Sequence, residues 1–129
     1  METLQNGHTI LVVDDEPIIR MYVVGVLEDA GYSVLEANDC EEALMLLATH
    51  TEIEVLMTDV RMPGEMDGLQ LVKQTHNKRP TICSIVVSGN ATAADARRAG
   101  ANRFVAKPYT ARALTDAVTA AMGGGLRAA

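Results

Sequence analysis

The sequence predicts an α/β fold: a doubly wound parallel sheet of five strands flanked by five helices. Three observations predict it. Short apolar runs recur along the chain, and they are continuous rather than alternating, as strands buried on both faces are. Stretches of helical periodicity separate them. Gly, Pro, Asn and Asp punctuate the junctions.

The elements follow in order. The first strand is Thr9–Val13. The first helix covers roughly residues 17–30, with Pro17 at a favoured opening position and Gly31 as the stop. A second strand lies near residues 33–36. The second helix starts after Asn38 or Asp39, both good caps, and runs to about His50. The third strand is residues 55–58. A loop with Pro63 and Gly64 leads to a third helix, about 68–77. The fourth strand is 82–87. A short Ala-rich helix near 91–99 ends at Gly100. The fifth strand is Arg103–Ala106, and the last helix is about 111–122. Right-handed crossovers restrict the strand order, and 2-1-3-4-5 is the natural one at this size. Its switch point falls between strands 1 and 3.

In domain terms, residues 1–8 form an N-terminal extension and 9–122 one domain. Residues 123–129, opening on Gly123-Gly124-Gly125, form a flexible tail. A chain of 129 residues suits one domain with a proper core and is short for two. With one Phe, three Tyr and no Trp, that core must be aliphatic and Met-filled. The net charge of −6 argues against a nucleic-acid surface, which needs a basic face. Two cysteines give no disulfide framework and point to a reducing compartment; Cys83 reads as a small buried residue and Cys40 as a helix start. No signal peptide or membrane span is legible, so a soluble cytoplasmic protein is expected.

Charged groups stand at the ends of the apolar runs. Asp14 and Asp15 follow the first, Asp59 the third, and Lys107 the fifth. Open α/β sheets bind ligands outside the carboxyl ends of their strands, at the switch point. Taken alone, Asp14-Asp15-Glu16 could merely cap the first helix; with Asp59 and Lys107 in register, a site is the better reading. Three carboxylates and one ammonium suit a divalent cation and a phosphoryl group. Mg²⁺ (or Mn²⁺) takes oxygen ligands, keeps several waters and typically uses one or two carboxylates plus a phosphate. Asp15 and Asp59 can coordinate, Asp14 can hold a bound water, and the backbone carbonyl of Arg61 can complete the set. Two like charges about 4 Å apart repel by roughly 4 kcal/mol at an effective dielectric near 20. One of the acids should therefore titrate anomalously when the ion is absent. Asp59 can also act as a nucleophile and form an aspartyl phosphate. Lys107 suits a phosphoryl oxygen as a point charge, and Ser88 offers a hydroxyl at the end of the fourth strand.

These residues resemble the receiver domain of two-component response regulators, similar to the chemotaxis-type single-domain regulators. The matching stretches are Val13-Asp14-Asp15-Glu16-Pro17, Thr58-Asp59-Val60-Arg61-Met62-Pro63, Met66-Asp67-Gly68, Val87-Ser88-Gly89 and Gly100 through Pro108. Together they span about residues 8 to 122. The resemblance implies a flavodoxin-like (βα)5 fold and a signalling switch, not an enzyme, that assists its own phosphorylation and dephosphorylation. It implies Mg²⁺-dependent phosphoryl transfer to Asp59 from the phosphohistidine of a sensor histidine kinase or histidine phosphotransferase, with Asp14 and Asp15 holding the metal. Ser88 would be the switch hydroxyl and Phe104 the switch aromatic. Lys107 would pair with phosphoryl oxygens, and its bond to Pro108 would be cis. The output would be a population shift at the face formed by helix 4, strand 5 and helix 5, read by a downstream protein, with no direct nucleic-acid or membrane contact. The chain would stand alone, as a monomer or a phosphorylation-dependent dimer.

Two departures stand out. The loop Gly64-Glu65-Met66-Asp67-Gly68 is one residue longer than the commonest family form, and Arg61 is a bulky cation two residues after Asp59. On the first helix, Ile19, Val23, Val26, Leu27 and Ala30 form a core stripe. Ile18, Met21, Tyr22 and Gly25 are left outside, where the family docks its phosphodonor. Two other functions compete. A metal-dependent phosphohydrolase would want a second acid just after the nucleophile, where Val60 and Arg61 stand. A flavodoxin-like binding module would want a Gly-rich first turn, where Asp14-Asp15-Glu16-Pro17 stands.

Overall fold

A computed structural model describes residues 8–127, with side chains through Met122. The elements are β1 (Thr9–Val13), α1 (Pro17–Asp29), β2 (Ser33–Ala37), α2 (Cys40–Thr49), β3 (Ile53–Asp59), α3 (Gly68–Lys78), β4 (Cys83–Ser88), α4 (Ala93–Ala99), β5 (Arg103–Ala106) and α5 (Ala111–Arg127). All strands run parallel in the order β2-β1-β3-β4-β5. This is the doubly wound sheet that the sequence predicts, with its switch point between β1 and β3.

Alternation along the strands divides the core in two. Leu11, Val13, Leu56 and Val86 face α2, α3 and α4, packing with Ala43, Leu47, Leu71, Val72 and Ala96. Ile10, Val12, Val55, Met57, Ile85 and Val87 face α1 and α5, packing with Val23, Val24, Leu27, Leu114 and Val118. Both faces are buried, so the strand sequences read as unbroken apolar runs.

The helix starts have local causes. Pro17 opens α1. The Asp39 carboxylate accepts the Glu42 N–H at 2.8 Å and caps α2. Asp67 and Gln70 form a reciprocal capping box on α3, as Thr92 and Asp95 do on α4. The second box sets the start of α4 at Ala93, two residues later than expected. At the other ends, Gly31 (φ 99°) and Gly100 (φ 102°) take left-handed conformations just past α1 and α4.

Several details differ from expectation. β3 begins at Ile53 and includes Asp59. α1 buries Val23, Val24 and Leu27 and ends at Asp29, which leaves Ala30 exposed. Cys40 is the buried cysteine; Cys83 is half-buried, because it opens β4 at the rim of the sheet and its thiol faces the Ala121 carbonyl at 3.6 Å. α5 continues past Met122 through the three glycines to Arg127, where a flexible tail was expected. Once nucleated, a helix gains one hydrogen bond per added residue, which can carry it through residues of low propensity. Residues 1–7 of the expected extension and 128–129 of the expected tail lie outside the described residues. Among the described residues, no helix is long and apolar enough to cross a membrane.

Candidate phosphoryl and metal site

Strand register builds the site. Val13 pairs with Thr58, so Asp14 leaves β1 level with Asp59 at the end of β3. Asp59 pairs with Val87, placing Ser88 one step further along β4. Ser88 pairs with Ala106, so Lys107 is the next residue out of β5. Four polar residues from four strands thus leave the sheet at one edge. The Lys107 amide bonds the Ser88 carbonyl at 3.0 Å and the Asp14 amide bonds Ala37 O at 3.2 Å, so the turns remain tied to the sheet.

The side chains converge. Lys107 Nζ donates to Asp59 Oδ2 at 2.9 Å, and the Val60 N–H donates to Asp59 Oδ1 at 2.7 Å. Asp14 is 6% exposed, and its Oδ1 accepts the Glu16 N–H at 2.9 Å. Burial pushes the Asp14 carboxyl above its ordinary value; the Glu16 N–H opposes this, and the charges of Asp59 and Asp15 add to the rise. For Lys107, burial disfavours the charged form, but the hydrogen bond and charge of Asp59, with Asp14 behind it, outweigh that and raise its pKa.

Asp15 is half-buried and, with Val60, Arg61, Met62, Pro63 and Asp67, lines an open depression of about 460 Å³. The Arg61 side chain is exposed. The donors are hard oxygens, which fit Mg²⁺. Among the described residues, no three or more His, Cys, Asp or Glu side chains form a ready-made cage.

Ser88 is buried, and its Oγ accepts the N–H groups of Asn90 and Ala91, each at 3.0 Å. Both acceptor positions are thereby engaged, leaving the O–H as a donor. Phe104 is half-buried against the α2–α3–α4 side of the core. The Lys107–Pro108 bond is cis. On α1, Ile18, Met21 and Tyr22 are 80%, 68% and 50% exposed, and Gly25 has open space where a Cβ would stand.

Sequence reading missed four neighbours. Arg20 donates through Nη1 to the Asp14 carbonyl at 2.6 Å and through Nε to Glu36 at 3.0 Å, bracing the acidic turn against β2. Tyr109 is half-buried beside the site; burial raises its pKa, and it feels the charges of Lys107, Asp14 and Asp59. The Thr58 hydroxyl donates to the Asp59 carbonyl at 2.7 Å. Gly68 packs directly on the Asp59 backbone. Tyr109 could have been suspected from its place after Lys107-Pro108. Arg20 carried no local signal, because its partners lie on other elements.

Fold and site together define a CheY-like receiver: a flavodoxin-like (βα)5 domain with an acid–lysine edge at its switch point. The response regulator receiver domain family matches residues 10–119, and the chain belongs to that family. It is 35% identical over 122 residues to the chemotaxis protein CheY homolog of Campylobacter jejuni, covering 90% of this chain and 93% of that protein. It is 37% identical over 109 residues to the nitrogen assimilation regulatory protein NtrX of Azorhizobium caulinodans, spanning 81% of this chain but only 24% of that protein. Among solved structures, a CheY-like receiver domain protein from Methanospirillum hungatei superimposes with a TM-score of 0.86 at 26% identity, covering 95% of this chain and 98% of that one. The receiver domain of NtrX from Brucella abortus gives 0.82 at 33% identity, covering 88% and 98%. Receiver domains are signalling switches of two-component systems rather than classical enzymes. They generally bind Mg²⁺ at the phosphorylation site and typically interact with sensor histidine kinases.

Proposed function

We propose that this chain accepts a phosphoryl group on Asp59 from the phosphohistidine of a sensor kinase or histidine phosphotransferase, and relays it as a change at the α4–β5–α5 face. The observation that carries the reading is Asp59 at the end of the central strand, held by Lys107 at 2.9 Å beside the buried Asp14. An Asp59 oxygen attacks phosphorus, an acyl phosphate forms, and the N–P bond to the departing histidine breaks. Bound Mg²⁺ would neutralise charge on the transferring group. Asp14, Asp15, Asp59 and the Arg61 carbonyl would hold it. The Lys107 ammonium then moves from carboxylate to phosphoryl oxygen, and the Ser88 O–H donates to another. Phe104 follows Ser88 inward.

The exposed Ile18, Met21 and Tyr22, with Gly25, form the surface for the phosphodonor helices. A complete switch from 1:99 to 99:1 would require about 5.5 kcal/mol of differential interaction. The free cysteines Cys40 and Cys83 fit a cytoplasmic setting. The downstream reader is a protein. The phosphorylated form is a monomer or dimer, which size exclusion with and without beryllofluoride would distinguish. A phosphohydrolase or flavodoxin-like binder is not favoured: buried Val60 and exposed Arg61 follow Asp59, and the first turn is acidic. The test is incubation with Mg²⁺ and acetyl phosphate, followed by mass spectrometry. A base-labile adduct on Asp59, absent from Asp59→Asn, is expected; folded protein that takes no adduct there would overturn the reading.

A further inference from the structure

The turn that carries Asp14 and Asp15 is not fixed in the usual way. α1 opens without a side-chain cap: Glu16 holds the cap position in extended backbone (φ −97°, ψ 108°), and no cap hydrogen bond forms from its side chain. Two bonds hold Asp14 itself. Its N–H donates to the Ala37 carbonyl at 3.2 Å, and its Oδ1 accepts the Glu16 N–H at 2.9 Å. The Asp14 carbonyl, which belongs to the peptide leading into Asp15, needs a donor from elsewhere.

Arg20 supplies it. Its N–H donates to Glu16 O at 2.9 Å, which places it in the opening of α1. Its side chain reaches back, with Nη1 on the Asp14 carbonyl at 2.6 Å and Nε on Glu36 Oε1 at 3.0 Å. That side chain is only 17% exposed. Glu36 stands on β2 opposite Val12, one residue before the Ala37 that accepts the Asp14 N–H. One guanidinium therefore ties α1, the turn after β1 and β2 together. Its donors point in fixed directions from a planar fork, so it can set an orientation as a flexible ammonium does not.

We infer that Arg20 is a positioning residue for the metal: held between the Asp14 carbonyl and Glu36, its guanidinium fixes the peptide joining Asp14 to Asp15, and with it the directions of both carboxylates. This rests on the proposed function, which puts Mg²⁺ on those acids, and adds what aims them. Groups behind metal ligands orient them, and losing one typically costs tenfold or more in metal affinity. The charge of Arg20 acts in the opposite sense. A cation beside a cation site repels the ion. By charge alone, removing Arg20 would tighten Mg²⁺ binding; by positioning, removing it weakens binding.

Calorimetric titration of the full chain with MgCl₂, in wild type, Arg20→Gln and Arg20→Lys, tests this. Arg20→Gln should bind Mg²⁺ about tenfold more weakly even though a repelling cation is gone. Arg20→Lys keeps the charge without the fork and should bind about threefold more weakly, between the other two. Urea unfolding identifies the folded samples, and if Arg20→Gln does not fold, Arg20→Lys against wild type decides. Asp59 labelling by acetyl phosphate gives a second readout. The variants should need more Mg²⁺ for half-maximal labelling and reach the wild-type rate once Mg²⁺ saturates. Unchanged or tighter Mg²⁺ binding in the folded variants would overturn the inference. So would a labelling deficit that saturating Mg²⁺ does not relieve, because Arg20 would then act on the transfer and not on the ion. Wild type that binds Mg²⁺ and takes the label, beside variants that bind Mg²⁺ equally well, sinks only the role of Arg20. Folded wild type that does neither sinks the receiver reading and the role of Arg20 with it.

Discussion

Gly68 rests against the backbone of Asp59. A Cβ built on it would stand 1.8 Å from the Asp59 carbonyl oxygen, and its N–H donates to the Val60 carbonyl at 2.8 Å. The first residue of α3 thereby closes the loop that follows Asp59, and only a residue without a side chain fits. Gly68→Ala should destabilise by about 2 kcal/mol or more through forced backbone movement, and slow Asp59 labelling. Urea unfolding checks the first effect. A Gly68→Ala protein within about 0.5 kcal/mol of wild type would contradict the contact.

Gly25 provides the opposite case. It lies inside α1 with nothing within 4 Å of a would-be Cβ. Gly25→Ala should stabilise by roughly 0.5–1 kcal/mol through helix propensity alone. Loss of stability in the same urea titration would show that this stretch of α1 is packed more tightly than described.

Thr75 is 3% exposed, and among the described residues its hydroxyl has no hydrogen-bond partner. Removing an unsatisfied buried hydroxyl while keeping the shape should help. Thr75→Val is expected to gain about 1 kcal/mol in chemical denaturation. A clear loss would mean the hydroxyl is solvated or bonded in solution.

Asp14 carries a pH signature. Its folded pKa is raised above 3.8, chiefly by burial. Between the unfolded and folded values the native state binds more protons, so ion-free stability falls as pH rises through that window. Asp14→Asn lacks this term. The variant should gain stability over wild type as pH climbs from below 3.8 to neutrality, while binding Mg²⁺ more weakly. A stability difference that does not vary with pH would remove the buried-charge explanation.

Cys40 should be nearly inert. Its thiol is pushed up to about 11 by burial, with the charges of Asp67 and Asp39 adding to the effect. At pH 8 its thiolate fraction is then on the order of one in a thousand. Alkylation by iodoacetamide should mark Cys83, which is half-buried, well before Cys40. Equal rates in folded protein would contradict the burial of Cys40.

Much of this was legible in the sequence, for specific reasons. Both faces of the sheet are covered, so β1, β3 and β4 appear as apolar runs, and the polar residues ending them leave the sheet at one edge. Asp14, Asp59 and Lys107 were found that way, and β5 was placed to the residue. Helix starts were less clear. Asp67 with Gln70 and Thr92 with Asp95 are readable capping pairs, yet Ala91 suggested an earlier start for α4. Arg20 could not be read, because its grip on Asp14 and Glu36 exists only once β1 and β2 lie side by side. The contact of Gly68 with Asp59 was hidden for the same reason. Gly123-Gly124-Gly125 misled, since local propensity predicts a stop where α5 continues.

Asp14, Asp15, Asp59 and Lys107 are expected to work as one site. The most direct measurement is the Mg²⁺ dependence of Asp59 labelling by acetyl phosphate, in wild type and in Asp15→Asn. The half-saturating Mg²⁺ concentration should rise roughly tenfold or more when Asp15 loses its charge. An unchanged Mg²⁺ dependence, or labelling that needs no divalent ion in either protein, would contradict it.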